Sequence, residues 1–241
     1  MVGLISDIGL KRSLNEDAAS FYENDSLKLY VVADGMGGHN AGEVASKMAV
    51  DEIINYVKNN FRNECDEDLL IDAISEANKN IFEFAKTNEK LSGMGTTVTA
   101  CLITKGYIQI ANVGDSSCFG ISRKDKIIKK LTKDHSLVQQ LVDSGSISEK
   151  DAINHPNKNI ITRALGTESK VSVDIFPIQN STYDMYMLCS DGLTNEIEKS
   201  ELLRIILEEE EYDKMAEKLV EKAKDNGGRD NITVLLFGGE M

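Results

Sequence analysis

The fold of this chain is decided by one stretch, Leu29-Tyr30-Val31-Val32-Ala33-Asp34-Gly35-Met36-Gly37-Gly38-His39. Its first residues are apolar, without the alternation of a half-exposed strand, and they predict a strand that is buried on both faces. The glycines that follow allow the backbone to turn sharply and to approach a ligand closely. The stretch therefore presents the carboxylate of Asp34 from the end of a rigid strand.

The same arrangement of an apolar run, an aspartate and a glycine recurs along the chain. It is found in Ala111-Asn112-Val113-Gly114-Asp115, in Met187-Leu188-Cys189-Ser190-Asp191-Gly192 and, just before the apolar run 232–237, in Gly227-Gly228-Arg229-Asp230-Asn231. A single Asp-Gly pair after a strand is typical of an ordinary turn. The repetition indicates instead that Asp34, Asp115, Asp191 and Asp230 share a function.

Composition restricts the class of protein. The chain has 241 residues, of which 41% are hydrophobic, and it is long enough to bury a substantial core. Its formal net charge of −13, from 40 acidic and 27 basic residues, disfavours nucleic acid or an anionic membrane as the main partner. No run approaches the ~18 apolar residues of a membrane span, so we expect no membrane insertion.

The four cysteines, Cys65, Cys101, Cys118 and Cys189, are widely spaced and form no C-x-x-C pair. Three of them lie in apolar, strand-like surroundings, which predicts buried thiols in a reducing compartment. The N-terminal residues lack the basic-then-apolar pattern of a secretion signal. We therefore expect a cytoplasmic protein.

Hydrophobic periodicity predicts an α+β sandwich rather than an alternating parallel fold. Helices are predicted in two blocks, 41–60 with 66–87 and 200–210 with 213–225. Strands are predicted around these blocks, at 1–9, 17–22, 27–34, 93–103, 107–113, 116–122, 126–131, 171–178, 183–190 and 232–237. No repeat or linker interrupts the chain, which predicts a single domain over residues 1–241. The polar segment 132–170, with short helices at 136–143 and 148–153, is predicted to form a mobile flap beside the site.

The four aspartates are predicted to converge, because the ends of strands in one core can share one rim. Several carboxylates in one cleft repel each other and raise each other's pKa, and a bound cation removes that penalty. Ligands that are all oxygen favour Mg²⁺ or Mn²⁺ over zinc. Two such ions ~3.5–4 Å apart can bridge one water and lower its pKa, which makes it a nucleophile for attack on phosphorus.

A basic residue and two carboxylates lie together in Arg12-Ser13-Leu14-Asn15-Glu16-Asp17. The guanidinium of Arg12 can bind two phosphate oxygens at once, which a lysine cannot do. Glu16 and Asp17 are predicted to accept hydrogen bonds from metal-bound waters and so orient them. For His39 two interpretations stay open, a proton donor to the leaving alkoxide or a histidine of a surface loop.

Taken together, these segments resemble a known family. Eight motifs occur in order along nearly the whole chain: Arg12-x-x-Asn-Glu-Asp17, Asp34-Gly-Met-Gly-Gly-His39, Gly95-Thr-Thr97, Asn112-Val-Gly-Asp-Ser116, Leu131-Thr-x-Asp-His-Ser136, Ile161-Thr-Arg-Ala-Leu-Gly166, Cys189-Ser-Asp-Gly192 and Gly228-Arg-Asp-Asn231. Each motif is weak by itself, and the specificity lies in their number and order. The set resembles the metal-dependent Ser/Thr protein phosphatases of the 2C type, in their short bacterial form.

The resemblance implies both a fold and an activity. The expected fold is a four-layer α/β/β/α sandwich, in which two antiparallel sheets face each other and helix pairs flank them. The expected activity is hydrolysis of phosphoserine and phosphothreonine in proteins, with Arg12 on the substrate phosphate. This activity would reverse the phosphorylations made by a membrane Ser/Thr kinase, which is the expected partner. We expect the enzyme to act as a monomer.

The resemblance also implies the roles of the aspartates. A pair of Mn²⁺ or Mg²⁺ ions would be bridged by Asp34, with the carbonyl of Gly35 on one ion and Asp191 and Asp230 on the other. Bacterial members often carry a third, weaker ion, which here would involve Asp115 and Asp191.

Two positions depart from the pattern of the family. In the eukaryotic branch of the family, the histidine proposed as the general acid directly follows Asp-Gly. This chain has Met36 at that position, and His39 lies three residues further on. Many members also carry an arginine after Gly-Asp-Ser, where this chain has Ser117. We interpret the second change as a lost packing or ion-pair contact, not as a lost ligand.

Three competing interpretations are disfavoured by the sequence. A thiol-based phosphatase requires C-x₅-R spacing, and the segment from Cys118 to Arg123 is one residue short. A dinucleotide loop requires a third glycine where this chain has Asn40. An inactive phosphoprotein-binding relative would be free to lose its metal aspartates, which are intact here.

Overall fold

The computed structural model describes residues 1–37, 41–62, 67–87, 89–153, 155–179 and 182–241. The strands found in these residues are β1 (Val2–Asp7), β2 (Asp17–Glu23), β3 (Leu27–Met36), β4 (Gly95–Thr96), β5 (Val98–Thr104), β6 (Ile108–Val113), β7 (Ser117–Ser122), β8 (Ile127–Lys130), β9 (Asp174–Ile178), β10 (Met185–Cys189) and β11 (Ile232–Gly238). The α-helices are α1 (Ala41–Asn60), α2 (Leu69–Ala85), α3 (Leu137–Asp143), α4 (Glu149–Ile153), α5 (Asp191–Thr194), α6 (Lys199–Glu208) and α7 (Tyr212–Asp225).

The strands form two antiparallel sheets. Sheet 1 has the order β1-β11-β10-β7-β8, and sheet 2 has the order β2-β3-β5-β6-β9, with the short β4 beside the end of β3. Sheet 1 joins the two ends of the described chain, because Val2 of β1 lies opposite Phe237 of β11. Sheet 2 is built largely from consecutive strands, in which β2 pairs with β3 and β5 with β6.

Helices cover the outer face of each sheet. Helix α1 packs on sheet 2 with α2 beside it, whereas α7 packs on sheet 1 with α6 beside it. Three apolar cores result, one under each helix pair and one between the sheets. The architecture is the four-layer α/β/β/α sandwich, and the predicted fold class is confirmed.

Strand β3 shows why its sequence is apolar at every position. Leu29 and Val31 belong to the core under α1 and α2, whereas Tyr30 and Val32 belong to the core between the sheets. Each face of the strand is therefore covered by another layer, and alternation with polar residues would bury polar groups. Helix α1 approaches this strand through small buried residues at every fourth position, Ala41, Ala45 and Ala49.

The core between the sheets is centred on stacked aromatic rings. The ring centroids of Tyr30 and Phe237 are 3.6 Å apart, and the centroid of Tyr186, the cross-strand neighbour of Phe237, lies 5.9 Å from that of Phe237. Tyr30 comes from sheet 2, whereas Phe237 and Tyr186 come from sheet 1. The stack therefore fixes the two sheets to each other, since aromatic pairs add to the free energy gained by burying their surface.

Antiparallel pairing places particular strand ends at the same rim of the sandwich. Asp17, at the start of β2, lies opposite Asp34 near the end of β3. In sheet 1, Cys189 at the end of β10 lies opposite Ser117 at the start of β7 and opposite Val234 of β11. The ends of β3, β6 and β10 and the starts of β2, β7 and β11 therefore share one edge.

The predicted elements are present, with changes at their boundaries. Strand β3 continues past Asp34 to Met36, because β4 pairs with its end. Strand β9 begins only at Asp174, where its partner β6 reaches Asn112. The short helix α5 was not predicted, since four residues carry no helical periodicity.

The predicted segment 132–170 lies against the same rim. Its helices α3 and α4 form as predicted, and neither has a buried residue. An isolated β-bridge from Leu165 to Thr96 connects the segment to the rest of the molecule. A second bridge, from Ser136 to Ile161, lies within the segment. Among the residues described, no helix is long and apolar enough to cross a bilayer.

Candidate functional site

A cleft of about 250 Å³ opens at the rim where these strand ends meet. It is lined by Arg12, Glu16, Asp34, Gly35, Met36, Gly37, Thr97, Asp115, Asn159, Ile161, Asp191 and Asp230. The four repeated aspartates therefore face one space, although they lie as far apart in sequence as residues 34 and 230. The predicted convergence of their strand ends is what the structure shows.

Asp34 is held through its backbone by two threonines. Its N–H donates to Oγ1 of Thr97 at 2.9 Å, and its carbonyl accepts from Oγ1 of Thr96 at 2.9 Å. The Thr97 hydroxyl also contacts the Ser116 hydroxyl at 2.7 Å. These contacts bridge β3 to β4 and to the loop beside Asp115, and they leave the Asp34 carboxylate free for the cleft.

Gly35 lies where the first helix approaches the strand most closely. A Cβ atom on Gly35 would stand 2.1 Å from the carbonyl oxygen of Gly42 and 2.5 Å from that of Glu16. Only a residue without a side chain fits there. The carboxylate of Glu16 lies against the backbone of Gly42 in the first turn of α1, where the unpaired N–H groups attract negative charge.

Asp115 follows β6 and is positioned by segment 132–170. The N–H of Gly114 donates to Nδ1 of His135 at 3.0 Å, and the N–H of His135 donates to the carbonyl of Gly114 at 2.9 Å. Asn112 donates to the carbonyls of Gly114 and Lys133, each at 3.1 Å. The Asp115 loop and the start of this segment therefore form one hydrogen-bonded unit.

Asp191 is the first residue of α5, directly after β10. Its Oδ2 accepts from Nδ2 of Asn195 at 2.9 Å. The next residue, Gly192, lies so close to β11 that a Cβ atom would stand 1.9 Å from the carbonyl oxygen of Asn231. This approach brings Asp191 and Asp230 to the same wall of the cleft, and it requires glycine.

Arg12 reaches the cleft from the loop between β1 and β2. Its guanidinium donates to Oδ2 of Asp230 at 2.8 Å and lies 4.0 Å from Glu16. The bond to Asp230, together with the charges of Asp230 and Glu16, raises the pKa of Arg12 against the opposing effect of burial. The side chain remains 46% exposed, so a ligand in the cleft can reach it.

Asn231 holds the Arg12 loop in place, which the sequence did not reveal. Its Nδ2 donates to the carbonyls of Ile8 and Leu14, at 3.0 and 2.9 Å, and its Oδ1 accepts from the N–H of Glu16 at 2.8 Å. One side chain thus clamps both ends of the loop that carries Arg12. Asn231 was part of a recognised motif, but its spacing from residues 8–16 gives no local signal.

Asp17 lies behind the cleft, in the interior. Its Oδ2 accepts from the hydroxyls of Ser190 and Thr233, each at 2.7 Å, whereas its Oδ1 is buried and has no partner among the described residues. Burial raises the pKa of Asp17 to about 7, with the charges of Asp191 and Asp230 adding to the effect. An unpartnered buried carboxylate oxygen is the kind of group that an ordered water or a water-bound cation satisfies.

Three aspartates of the cleft, Asp34, Asp115 and Asp191, have a raised pKa. Burial is the largest cause for each of these three, and neighbouring carboxylates add to it. The pKa of Asp34 lies well above its usual range because of burial and of the charges of Asp17 and Asp191. Burial and the charge of Asp191 raise the pKa of Asp115 to about 7, and burial and the charge of Asp230 raise that of Asp191 to about 6.

The residues of the cleft fit a hard divalent cation. Among the described residues that line it, the donors are carboxylate and carbonyl oxygens, with no cysteine or histidine, which suits Mg²⁺ or Mn²⁺. In the described part of the chain, no three acidic, histidine or cysteine side chains are close enough to hold one ion by themselves. Mg²⁺ keeps several waters and takes one or two protein carboxylates, so this spread of carboxylates agrees with ions that are bound partly through water.

The structure also gives positions for other residues that were predicted to belong to the site. Glu16 lines the cleft and Asp17 lies behind it. His39 lies outside the described residues, and both of its interpretations stay open. Asn159, which sequence analysis missed, reaches the cleft from segment 132–170.

Cys118 is fully buried between the sheets, and burial raises the pKa of its thiol well above the usual range. Arg123 donates instead to the carbonyl of Glu209. A cysteine nucleophile requires a thiolate and access for the substrate. The structure therefore agrees with the rejection of a thiol-based phosphatase.

Comparison with known proteins gives the family. The model of the family described as protein phosphatase 2C matches residues 11–236. This chain belongs to the protein phosphatase 2C family, whose members are metal-dependent hydrolases.

Relatives resemble the chain over its full length. It is 43% identical to the serine/threonine phosphatase stp of Listeria monocytogenes, over 98% of this chain and 94% of the relative. It is 35% identical to the protein phosphatase PhpP of Streptococcus pneumoniae, over 98% and 96% of the two chains. The crystal structure of the serine/threonine phosphatase Stp1 from Staphylococcus aureus superimposes with a TM-score of 0.92 at 36% identity, covering 100% of this chain and 94% of that one.

Proposed function

We infer that this protein is a serine/threonine phosphatase that hydrolyses phosphoserine and phosphothreonine in proteins with a water activated by divalent cations. The observation that carries the inference is the cleft itself. It combines Asp34, Asp115, Asp191 and Asp230 with the guanidinium of Arg12 in one space. Mutually repelling carboxylates beside a phosphate-binding arginine fit metal-assisted attack on a phosphate monoester.

The ligands that we infer are those that the protein phosphatase 2C family implies, and the cleft supports them because all of them line it. Asp34, the carbonyl of Gly35, Asp191 and Asp230 would hold a pair of Mn²⁺ or Mg²⁺ ions. Asp115 and Asp191, whose charges act on each other, would hold a third ion. When bound, the ions supply a water of lowered pKa and neutralise the charge that develops on the phosphate.

The protein's own groups bind and orient the substrate. The fork of Arg12 presents paired donors to two phosphate oxygens, and it is partly exposed while it contacts Asp230. The clamp by Asn231 keeps this guanidinium at a fixed distance from Asp230. Asp17 holds the backs of β10 and β11 together through Ser190 and Thr233. The donor of the proton to the leaving alkoxide stays open, with His39 as one candidate.

We further propose that residues 1–241 act as one catalytic domain and that segment 132–170 acts as its flap. The support is that α3 and α4 have no buried residue and that the segment contributes Asn159 to the cleft.

The expected partner of this enzyme is a Ser/Thr kinase, whose phosphorylations it would reverse. A cytoplasmic location suits Cys101, Cys118 and Cys189, which are free and buried. A monomer remains our prediction, and light scattering on the purified protein would test it.

The inferred function is tested by hydrolysis of a phosphothreonine peptide. We expect release of phosphate with Mn²⁺ or Mg²⁺ and none after exhaustive chelation, because the carboxylates alone offer no activated water. A small aryl phosphate should be hydrolysed more slowly under the same conditions.

The control is a pair of aspartate variants. Asp191→Ala removes an inferred ligand, whereas Asp125→Ala changes an aspartate in the turn between β7 and β8, where it bonds the hydroxyl of Ser122. Phosphate release should disappear in the first variant and persist in the second. Full activity after chelation, or an active Asp191→Ala enzyme, would refute the inferred function.

A further inference from the structure

A groove of about 490 Å³ leads away from the catalytic cleft. It runs between α3 and α4 on one side and the chain around α5 on the other. The groove and the cleft share Asp115, Asn159 and Asp191, so the two spaces are continuous. A polypeptide whose phosphate reaches Arg12 would therefore place its neighbouring residues in this groove.

One wall of the groove carries an exposed apolar side chain. Ile153, at the end of α4, is 67% exposed, and it is flanked in the lining by Ala152 and by Val138 of α3. Ile197 on the opposite wall is buried and forms an apolar floor. A large apolar side chain left in water beside a catalytic site is a contact point for substrate, because burying it on binding is favourable.

The charges along the groove are predominantly negative. Asp115 and Asp191 lie where the groove meets the cleft, whereas Glu198 lines only the groove and is exposed, without an ion pair among the described residues. Lys130 is held by Asp134 through two bonds, at 2.6 and 2.8 Å. That pair contributes no net charge to a ligand.

Two further charged residues of the groove have partners. Glu196 accepts from the backbone N–H of Arg229 and lies 3.5 Å from its guanidinium. Lys158 is turned across the groove onto the neutral Oδ1 of Asn195 at 2.9 Å. Lys158 and Glu198 are therefore the charged residues of the groove, apart from the aspartates shared with the cleft, that have no ion pair among the described residues, and Glu198 is the negative one.

The groove differs from the cleft in the ligand that it fits. In the inferred function the cleft takes a phosphate group, which is anionic and is repelled by a protein of net charge −13. A basic residue close to the phosphoresidue offsets this repulsion and complements Glu198. An apolar residue beside it complements Ile153.

We propose that this groove binds the substrate chain next to the phosphoresidue and that Glu198 and Ile153 select a segment containing a basic and an apolar residue. The proposal rests on the inferred phosphatase function, which it extends by naming the substrate class. Glu198 and Ile153 touch no reacting atom in this scheme, and they act on peptide binding alone.

The test compares two phosphothreonine peptides that differ only in carrying lysine or glutamate at the positions flanking the phosphoresidue. The wild-type enzyme should prefer the lysine peptide in kcat/KM by about three- to tenfold, the range expected for an exposed charge pair changed in sign. In Glu198→Lys this ratio should fall to about one or invert. The ratio of peptide to aryl phosphate kcat/KM should fall in Ile153→Ser, because the aryl phosphate does not extend into the groove.

The matched control is Glu221→Lys on the exposed face of α7, outside the groove, which changes the net charge by the same amount. It should leave the preference for the lysine peptide as in the wild type. If Glu221→Lys lowers the preference as much as Glu198→Lys, the charge of the whole protein is responsible and the groove is not. A wild-type preference for the glutamate peptide would overturn the proposal and assign selection to Lys158.

A binding measurement distinguishes a failure of this proposal from a failure of the inferred phosphatase function. Fluorescence anisotropy with non-hydrolysable phosphonate versions of both peptides should show the same preference and the same loss in Glu198→Lys. Equal binding of the two peptides would refute the groove even if the enzyme is active. Preferential binding without any turnover would refute the inferred function and leave the groove standing.

Discussion

The core between the sheets and the cleft at their rim are built by the same strands, yet they are opposites. In β3, Val32 is fully buried among apolar side chains, whereas Asp34, two residues on, lies among other carboxylates. The first environment stabilises the fold by removing apolar surface from water. The second opposes folding, because buried like charges repel. Stability thus comes from the middles of the strands, and the chemistry is placed where the strands end.

The largest effect should come from Asp191→Asn. We expect turnover of a phosphothreonine peptide to fall on the order of a thousandfold, since an inferred metal ligand is lost. In the chelated protein, the same variant should unfold at a higher temperature, because a buried carboxylate beside Asp230 is replaced by a neutral amide. Assays of kcat with Mn²⁺ and thermal scans in chelator check both parts. A variant that is both inactive and less stable in chelator would contradict this view of the cleft.

The opposite pattern is expected for Phe237→Ala in the aromatic stack. The loss of this buried ring should cost about 3–5 kcal/mol in the free energy of unfolding, while kcat per folded molecule is retained. Phe84→Ala is the control, since Phe84 is 41% exposed and its loss should cost about 0.5 kcal/mol or less. Urea denaturation measures the first quantity. A large fall in kcat for Phe237→Ala would show that core and cleft are not separable.

Asn231 lies between the two regions and should act through Arg12. Asn231→Ala frees the loop that carries the guanidinium, and we expect KM for a phosphopeptide to rise about tenfold, the kind of loss that misplacing a binding group causes. In an Arg12→Ala background the same substitution should change KM little. If Asn231 only stabilises the structure, its substitution should lower activity by the same factor with and without Arg12. The double-mutant cycle therefore distinguishes this general structural role from a role in positioning Arg12.

The pH dependence of stability, measured in chelator, is a further test of the contrast between the apolar core and the carboxylate cleft. Burial and the charge of Asp230 raise the pKa of Asp191 from its usual 3.8 to about 6, so the folded chain binds more protons than the unfolded chain between these values. By linkage, Asp191 destabilises the folded protein as the pH rises through this window. The gain in melting temperature from Asp191→Asn should therefore be about 2–4 °C or more at pH 7.5 and close to zero at about pH 4. A gain that is independent of pH would exclude this electrostatic cause.

The smallest effect on turnover is expected for Cys118→Ser. The thiol is fully buried between the sheets and does not line the cleft. Turnover per folded molecule should stay within about twofold, although a buried hydroxyl costs some stability. Steady-state kinetics corrected for the folded fraction are the measurement. An inert enzyme would revive the thiol-based mechanism.

Local pattern was sufficient for most of the fold and for the aspartates. The apolar runs at residues 29–33, 185–189 and 232–237 are buried on both faces, and this property is visible in the sequence because no polar alternation interrupts them. Asp34 and Asp191 each stand at the end of such a run. Their position relative to the strand is therefore a local property, which the sequence reports directly.

Other parts of the site depend on residues that are distant in sequence. The clamp of Asn231 on Ile8 and Leu14 spans more than 200 residues, and no spacing along the chain indicates it. The role of Asp17 in orienting metal-bound waters stays a prediction, but its position behind the cleft depends on Ser190 and Thr233, which lie at the end of β10 and in β11 of the other sheet. The groove beside α4 was not visible either, because its walls come from segments around 138–153 and 195–198.

The sequence by itself determined the strands and helices of this protein and the residue types of its site, because burial on one or both faces sets the hydrophobic periodicity of each strand and helix. The four layers were implied by the resemblance to the family. The tertiary structure alone decided which oxygens meet, which loop carries Arg12 into reach of Asp230, and where a substrate chain can lie. Those properties arise from antiparallel register and from the packing of two sheets, which bring together side chains that share no local signal.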